Sequence, residues 1–176
     1  LLIGGLLMWQ ALDRVFSLAT PERAWSDAIA KLPNDPRSVG RWFPYLNRGS
    51  AFVDANKFNL AMTDFETSAK LGDMGMGMFN RGSLYAANSE HQNALASFDQ
   101  AEREGYNLYN LPFQRGVSLL ALGQPADAYR QFEAARAKNP PSPTRELVML
   151  NLGRTAMQLG RADEALGALR QLVATE

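Results

Sequence analysis

Two nearly identical stretches of sequence, "NRGSAF" at residues 47–52 and "NRGSLY" at residues 80–85, lie 33 residues apart. Each has a glycine near its centre, and this glycine recurs twice more along the chain, at further spacings of 34 and 37 residues. The four equivalents are Gly49, Gly82, Gly116 and Gly153. Self-similarity with a period of about 20–50 residues indicates a protein built from repeated supersecondary units.

Three further columns of residues keep the register of the glycines. An aromatic or smaller apolar residue follows each glycine by three positions, an alanine by twelve, and a large apolar residue by sixteen. The columns are Phe52, Tyr85, Leu119 and Ala156; Ala61, Ala94, Ala128 and Ala165; and Phe65, Phe98, Phe132 and Leu169. Because all columns keep register through four cycles, we interpret them as four repeats.

Apolar residues recur at helical intervals in two segments of every repeat. The first segments cover about residues 42–54, 75–88, 108–122 and 142–159, and each ends at a turn sequence such as "DANK" or "LGQP". The second segments cover about residues 58–71, 91–104, 126–138 and 162–174. Short connections make the two helices of a pair antiparallel, and each pair leaves an apolar face that only the next pair can cover. The sequence therefore predicts an all-α fold, a stack of antiparallel helical hairpins.

This pattern resembles the tetratricopeptide repeat family, whose repeat of about 34 residues carries small residues and aromatic residues in the same order. The resemblance implies a right-handed superhelix of four repeats, at about residues 42–74, 75–108, 109–145 and 146–176. Residues 1–41 are expected to hold an apolar helix, a degenerate half-repeat and a linker, because Trp25, Ala28 and Pro33 have the spacing of a second helix and its end. This N-terminal arrangement also resembles the C-terminal repeat region of bacterial multi-pass membrane proteins related to glycosyltransferases.

Composition argues against several classes of site. The 18 Lys and Arg residues balance 18 Asp and Glu residues, so no nucleic-acid partner is expected. The absence of cysteine excludes disulfides and thiolate chemistry, and His91, the only histidine, is expected at the surface. Met74, Met76 and Met78 could bind a soft metal ion, but packing in a flexible joint is the favoured interpretation. We therefore expect no enzyme activity, no cofactor and no metal site.

The apolar run "LLIGGLLMW" at residues 1–9 is too short to cross a bilayer, which takes about 20 apolar residues. Two alternatives stay open, the cut end of a transmembrane helix and an amphipathic helix packed on the domain. With a membrane tether before Leu1 the protein would be a membrane-associated soluble domain outside the cytoplasm; the alternative is a cytoplasmic protein. An apolar face on the last hairpin also points to a homo-oligomer.

An arginine precedes the glycine in three of the four repeats, and an acidic residue recurs in the second helix of the same repeats. Counted from the first residue of each repeat, the arginines stand at the seventh position and the acids at the twenty-fifth. The arginines are Arg48, Arg81 and Arg115, the acids are Glu66, Asp99 and Glu133, and the fourth repeat has Leu152 and Arg170 instead. We favour the hypothesis that each arginine pairs with the acid of its own or the neighbouring repeat and fixes their register. The alternative is a ladder of cations for an acidic ligand.

In the family that the chain resembles, the inner face of the first helices binds ligands. This resemblance predicts a peptide- or partner-binding site of Asn47, Ser50, Phe79, Asn80, Ser83, Asn110, Phe113, Gln114, Asn151 and Arg154, with apolar neighbours that include Leu147, Leu150 and Met157. Amides suit a peptide backbone and the apolar residues suit its side chains, although the amides could instead only cap or cross-link adjacent helices. We expect a non-catalytic protein–protein interaction scaffold that binds a peptide or partner helix in its concave groove. The alternative is a substrate-docking domain of a membrane-bound enzyme such as a glycosyltransferase.

Overall fold

A computed structural model describes residues 20–35 and 38–173, and these residues form nine α-helices and no strand. The helices are α1 (Pro21–Ala30), α2 (Phe43–Asp54), α3 (Phe58–Lys70), α4 (Met76–Ala87), α5 (His91–Arg103), α6 (Asn110–Ala121), α7 (Pro125–Ala137), α8 (Thr144–Gln158) and α9 (Ala162–Val173). The prediction of an all-α helical repeat fold is confirmed, with two helices in each of the four repeats. The apolar helix predicted within residues 1–18 lies outside the described residues.

The turn inside each hairpin has the same backbone geometry in all four repeats. One residue of each turn, at the fifteenth position of its repeat, has a positive φ; these residues are Asn56, Ser89, Gly123 and Gly160. The next amide then reaches back over the turn, as Lys57 N does to Phe52 O at 2.7 Å and Gln124 N does to Leu119 O at 2.9 Å. This left-handed closure satisfies carbonyls that the helix end would otherwise leave without partners. The shared closure gives every hairpin the same reversal of direction.

The core of each hairpin is built where an aromatic ring or a leucine lies against the glycine of the first helix. A Cβ atom added to Gly82 would lie 2.5 Å from Phe98 Cε1, and one added to Gly153 would lie 3.0 Å from Leu169 Cδ2. The ring of Phe98 is fully buried, as is Ala94 one turn before it. The glycine therefore lets the ring approach the first helix at a distance that any side chain would prevent. The structure agrees with the packing role predicted for the glycines.

Asp73 occupies the connection between the first two repeats and is completely buried. Its carboxylate accepts hydrogen bonds from Ser68 Oγ at 2.6 Å, from Gly75 N at 2.9 Å and from Gly77 N at 2.7 Å. Backbone N–H groups in the first turn of a helix have no partner within the helix. Asp73 therefore caps the start of α4 and also binds the end of α3.

The described chain divides into two compact units whose boundary lies between Arg81 and Gly82, inside α4. The core of the first unit includes Phe65 and Met78. In the second unit, a cluster of buried residues from α7, α8 and α9 forms the core, and it consists of Ala128, Phe132, Ala135, Val148, Met149, Leu152 and Ala168. The boundary thus falls within a repeat, and the division predicted between residues 41 and 42 stays a prediction. Within the described ranges, no helix is both long and apolar enough to span a bilayer.

Candidate interaction surface

The predicted site residues lie on the first helices of the four repeats. Asn47, Ser50, Phe79 and Asn80 belong to the first compact unit, and Ser83, Asn110, Phe113, Gln114, Asn151 and Arg154 belong to the second. Whether these residues bind a ligand stays a prediction. Their contacts within the protein show which of their atoms remain available.

Two of the predicted amides use one N–H on their own helix. Asn47 Nδ2 donates to Phe43 O at 2.8 Å, and Asn151 Nδ2 donates to Leu147 O at 2.8 Å. The Ser50 hydroxyl donates in the same way to Leu46 O at 3.1 Å. Because an amide has two N–H groups and an oxygen acceptor, each asparagine keeps donor and acceptor capacity for another molecule. These bonds neither cap nor cross-link adjacent helices, and ligand binding by the amides stays a prediction.

Asn110 is engaged by the loop that precedes its helix. Its Nδ2 donates to the hydroxyl oxygen of Tyr106 at 2.8 Å, and that hydroxyl also lies 3.1 Å from Asn110 Oδ1. Burial raises the pKa of the Tyr106 phenol, and the hydrogen bond to Asn110 partly offsets this effect. Asn110 thus fixes the connection between the second and third repeats, which is a structural role that the sequence pattern does not reveal.

The two predicted phenylalanines contribute mainly to packing. Phe79 is only 9% exposed. The Phe113 ring lies 5.9 Å from the Phe132 ring, centroid to centroid, and packs against the core cluster of the second unit. A buried ring offers at most an edge to a ligand, so apolar contact on this surface must come mainly from other residues.

Helix α8 supplies those apolar residues. Leu147 is 46% exposed, Leu150 37% and Met157 65%. They recur every three to seven residues and therefore lie on one face of the helix, together with the half-buried Asn151 and the exposed Arg154. Large apolar side chains that are grouped and exposed mark interaction surfaces more often than isolated ones do.

The arginines before the glycines are held by carboxylates. Arg48 binds the nearly buried Asp64 through Nε at 2.7 Å and Nη2 at 2.8 Å, and its Nη1 donates to Ser26 Oγ at 3.2 Å. The pKa of Arg48 is raised chiefly by the hydrogen bonds to Asp64, against the opposing effect of burial. Arg81 Nη1 lies 3.1 Å from Glu66 Oε1. These contacts support the structural pairing over a ladder of cations for a ligand.

The second unit shows the direction of the pairing. Arg115 binds Asp99 at 2.6 Å and Glu102 at 2.8 Å, and both acids belong to the preceding hairpin. Glu133 is the equivalent acid of the third repeat, but Leu152 stands where the next arginine would be, and Glu133 binds Arg136 of its own helix at 2.6 Å instead. The pairs Arg81–Glu66 and Arg115–Asp99 therefore join consecutive hairpins, whereas Arg48 binds an acid of its own repeat.

Side chains that could bind a metal ion do not converge in the described part of the chain. No group of three or more His, Asp or Glu side chains is placed to hold a metal ion there. Met78 is buried and its sulfur lies 3.8 Å from Arg81 Nη1, whereas Met74 is largely exposed. His91 was expected at the surface but is half-buried at the start of α5.

A cavity of about 370 Å³ lies in the second unit, and none of the predicted site residues lines it. The end of α7, the start of α8 and the end of α9 surround it, and its lining combines Val148, Met149 and Leu172 with Arg136 and Arg145. The guanidinium of Arg136 binds Glu133, and Arg145 Nε donates to Pro140 O at 3.2 Å. Both cations are thus already occupied by the protein.

Comparison with known proteins agrees with the helical repeat fold of this chain. A family model described as tetratricopeptide repeat matches residues 46–106 and 113–175. A crystal structure of MamA is 17% identical, with a TM-score of 0.70 over 87% of this chain and 85% of that one. The MamA RS-1 ArsTM double mutant is 15% identical, with a TM-score of 0.71 over 96% and 92% of the two chains. A crystal structure of BtubC (BKLC) from P. vanneervenii is 13% identical, with a TM-score of 0.71 over 85% and 69%.

These identities are low, so the solved structures show a shared fold and nothing about ligands. No curated protein matches the sequence significantly. The resemblance of the N-terminal part to membrane proteins related to glycosyltransferases gains no support from the family match or the similar structures, and neither does a membrane tether.

Proposed function

The chain belongs to the tetratricopeptide repeat family, and on that basis we propose that it is a non-catalytic protein–protein interaction scaffold. The proposed ligand is a peptide or a partner helix that binds to the first helices of the repeats.

The exposed face of α8 is the observation that carries this proposal. Leu147, Leu150 and Met157 expose large apolar side chains on the same side of the helix as Asn151. Burying such side chains against a partner stabilises a complex by about 25 cal/mol for each Å² of apolar surface removed from water. The remaining amide groups of Asn151 can bond to backbone groups of the partner and fix its orientation.

A crosslinking pull-down with a matched pair of variants tests the proposal. The double variant Leu147→Ala with Asn151→Ala removes an exposed apolar contact and an amide from the face, and it leaves the buried Val148 and Met149 in place. A change at Phe79, which also belongs to the predicted site, would disturb packing as well, because that ring is buried. The matched control is Leu60→Ala, which removes an equally exposed leucine from the second helix α3.

We expect the double variant to lose the crosslinked partners of the wild-type protein while its melting temperature stays unchanged. The control variant should keep those partners. Equal recovery of the same partners by the wild-type protein and the double variant would contradict binding at this face.

A further inference from the structure

At one repeat position in the second helices, the exposure of the side chain differs between the last described hairpin and the others. The residue after each recurring alanine is Met62, Leu95 and Tyr129 in the first three repeats, and each of these side chains is half-buried. The fourth member of the column is Leu166, which is 52% exposed.

The environment of Tyr129 shows what normally covers this position. The Arg161 guanidinium lies 5.3 Å from the centre of the Tyr129 ring, and the nearby Glu164 carboxylate contributes to the raised pKa of the phenol. Both residues belong to the following hairpin. Leu166 is therefore the same contact point on the last described hairpin, and no described residue covers it to the same extent.

The first helices show the same difference. Phe113, Val117 and Leu120 of α6 pack against the core cluster to which the next first helix, α8, contributes. The residues at the same repeat positions on α8 are Leu150, Arg154 and Met157, and all three are exposed. Helices α8 and α9 thus present one surface, here called the end face, which consists of Leu150, Arg154, Met157, Leu166 and Arg170.

The second helix carries a positive charge on the end face at a position where the preceding second helices carry a negative one. At those contacts an acid on the second helix receives an arginine of the next hairpin, as Asp99 receives Arg115 at 2.6 Å. On the end face Arg170 stands in the place of that acid, and Arg154 stands where the preceding repeat has the neutral Val117. Neither arginine forms an ion pair with another residue in the described ranges.

We propose that the end face docks an amphipathic helix of a partner protein, with an apolar stripe flanked by carboxylates. The apolar stripe would cover Leu150, Met157 and Leu166, and the carboxylates would pair with Arg154 and Arg170. A hairpin of this protein that carries the recurring arginine fits the end face poorly. Its arginine would lie next to Arg170, and like charges repel in such a contact. This second surface goes beyond the proposed peptide site, with which it shares part of α8.

Two synthetic hairpins that differ in one charge test the proposal against the full chain. One copies residues 109–138, so that it presents α6 and α7, and the other is the same peptide with Arg115→Glu. Their helicities are matched by circular dichroism, and their affinities are measured by fluorescence anisotropy. We expect the Glu peptide to bind about tenfold more tightly at low salt, because it presents a carboxylate where the native peptide presents a cation.

Two variants of the full chain complete the experiment. Arg170→Glu should invert the preference for the two peptides, and Leu166→Glu should abolish binding of both. The variant with Leu147→Ala and Asn151→Ala should still bind the Glu peptide, which separates this proposal from the proposed function. Equal affinities, no saturable binding of either peptide, or a wild-type dimer that Leu166→Glu dissociates in sedimentation would overturn the proposal; the last result would place a second copy on the end face.

Discussion

At the scale of single residues, the contact between glycine and phenylalanine leaves no room for a side chain at the glycine. Gly82→Val should lower the free energy of unfolding by about 1–3 kcal/mol, because the new side chain would overlap the buried Phe98 ring, which has no room to retreat. Thermal unfolding followed by circular dichroism measures the change. An unchanged unfolding midpoint would remove the packing role of this glycine.

Gly167 is the matched control, since it also lies within a helix. A Cβ added there meets no atom within 4 Å. Gly167→Ala should therefore stabilise the protein by up to about 1 kcal/mol, the helix propensity that glycine lacks. Opposite signs for the two substitutions, measured in the same thermal experiment, would show that the surroundings of each glycine decide the effect.

The arginine pairs can be tested by charge reversal at Arg115. Arg115→Glu should destabilise the protein by about 1 kcal/mol, a modest effect because its partner acids are well exposed, and Asp99→Arg in the same chain should restore part of the loss. Urea unfolding of the wild type, both single variants and the double variant gives the coupling energy. Strictly additive effects would mean that the two side chains do not interact.

The sequence predicts that each arginine has an acidic partner, but it does not predict which acid that is. Arginine and acid vary together through the repeats, which predicts a pair, and the structure has such pairs. The choice of acid depends on how one hairpin is offset against the next, and two acids often lie within one helical turn. Arg48 thus binds Asp64 rather than Glu66, and Arg115 binds Glu102 as well as Asp99.

At the scale of secondary-structure elements, the start of α4 depends on one buried carboxylate. Asp73→Ala would leave Gly75 N, Gly77 N and the Ser68 hydroxyl without their acceptor. The expected loss is about 2–3 kcal/mol of unfolding free energy, since buried polar groups without partners are costly. Asp163→Ala, at an exposed acid in the first turn of α9, is the control and should cost less than about 1 kcal/mol in the same urea titration.

The contact between α7 and the fourth hairpin should depend on pH. The pKa of Tyr129 is raised, first by burial and then by the neighbouring carboxylates of Glu164 and Glu133. The folded protein therefore holds this proton more tightly than the unfolded chain, whose tyrosines titrate near pH 10. The resulting stability is complete below about pH 10 and is lost as the pH rises further.

A comparison with Tyr129→Phe isolates this effect from other alkaline titrations. The difference in unfolding free energy between wild type and variant should be constant from about pH 7 to pH 9 and should shrink above about pH 10. Urea unfolding across this pH range measures it. A difference that stays constant through the alkaline range would show that the Tyr129 proton is not linked to folding.

The helices themselves could be predicted closely from the sequence, because apolar periodicity and turn residues are local signals. The predicted segment 91–104, for example, corresponds to α5 at His91–Arg103. Exposure was harder to predict. Phe79 and Phe113 occupy positions of the ligand face in the repeat pattern, yet their rings are largely packed, whereas Leu147 and Met157 are exposed. Exposure depends on what lies on the far side of a helix, and periodicity carries no information about that neighbour.

At the scale of the whole molecule, the balance of charges sets colloidal behaviour. With 18 basic and 18 acidic residues the formal net charge at pH 7 is zero, and the isoelectric point is about 6.8. Repulsion between molecules is weakest at that point. Light scattering of the full chain should therefore show a minimum of solubility near neutral pH and higher solubility at about pH 8.5. A solubility that does not vary over this range would show that local patches, rather than net charge, govern association.

The match between each glycine and the side chain above it also limits how this sequence can be recombined. In three hairpins the glycine lies under a phenylalanine ring, whereas the looser fourth hairpin sets Gly153 under Leu169. A chimera that joins α4 to α9 would place a leucine where Gly82 accommodates a phenylalanine ring, and a void would remain. A chimera that joins α8 to α5 would place a phenylalanine ring where a leucine normally lies, and the core of that hairpin would be overfilled. The unit that can be duplicated, shuffled or transplanted is therefore the complete hairpin, and a crossover within one should succeed only when glycine and ring are inherited together.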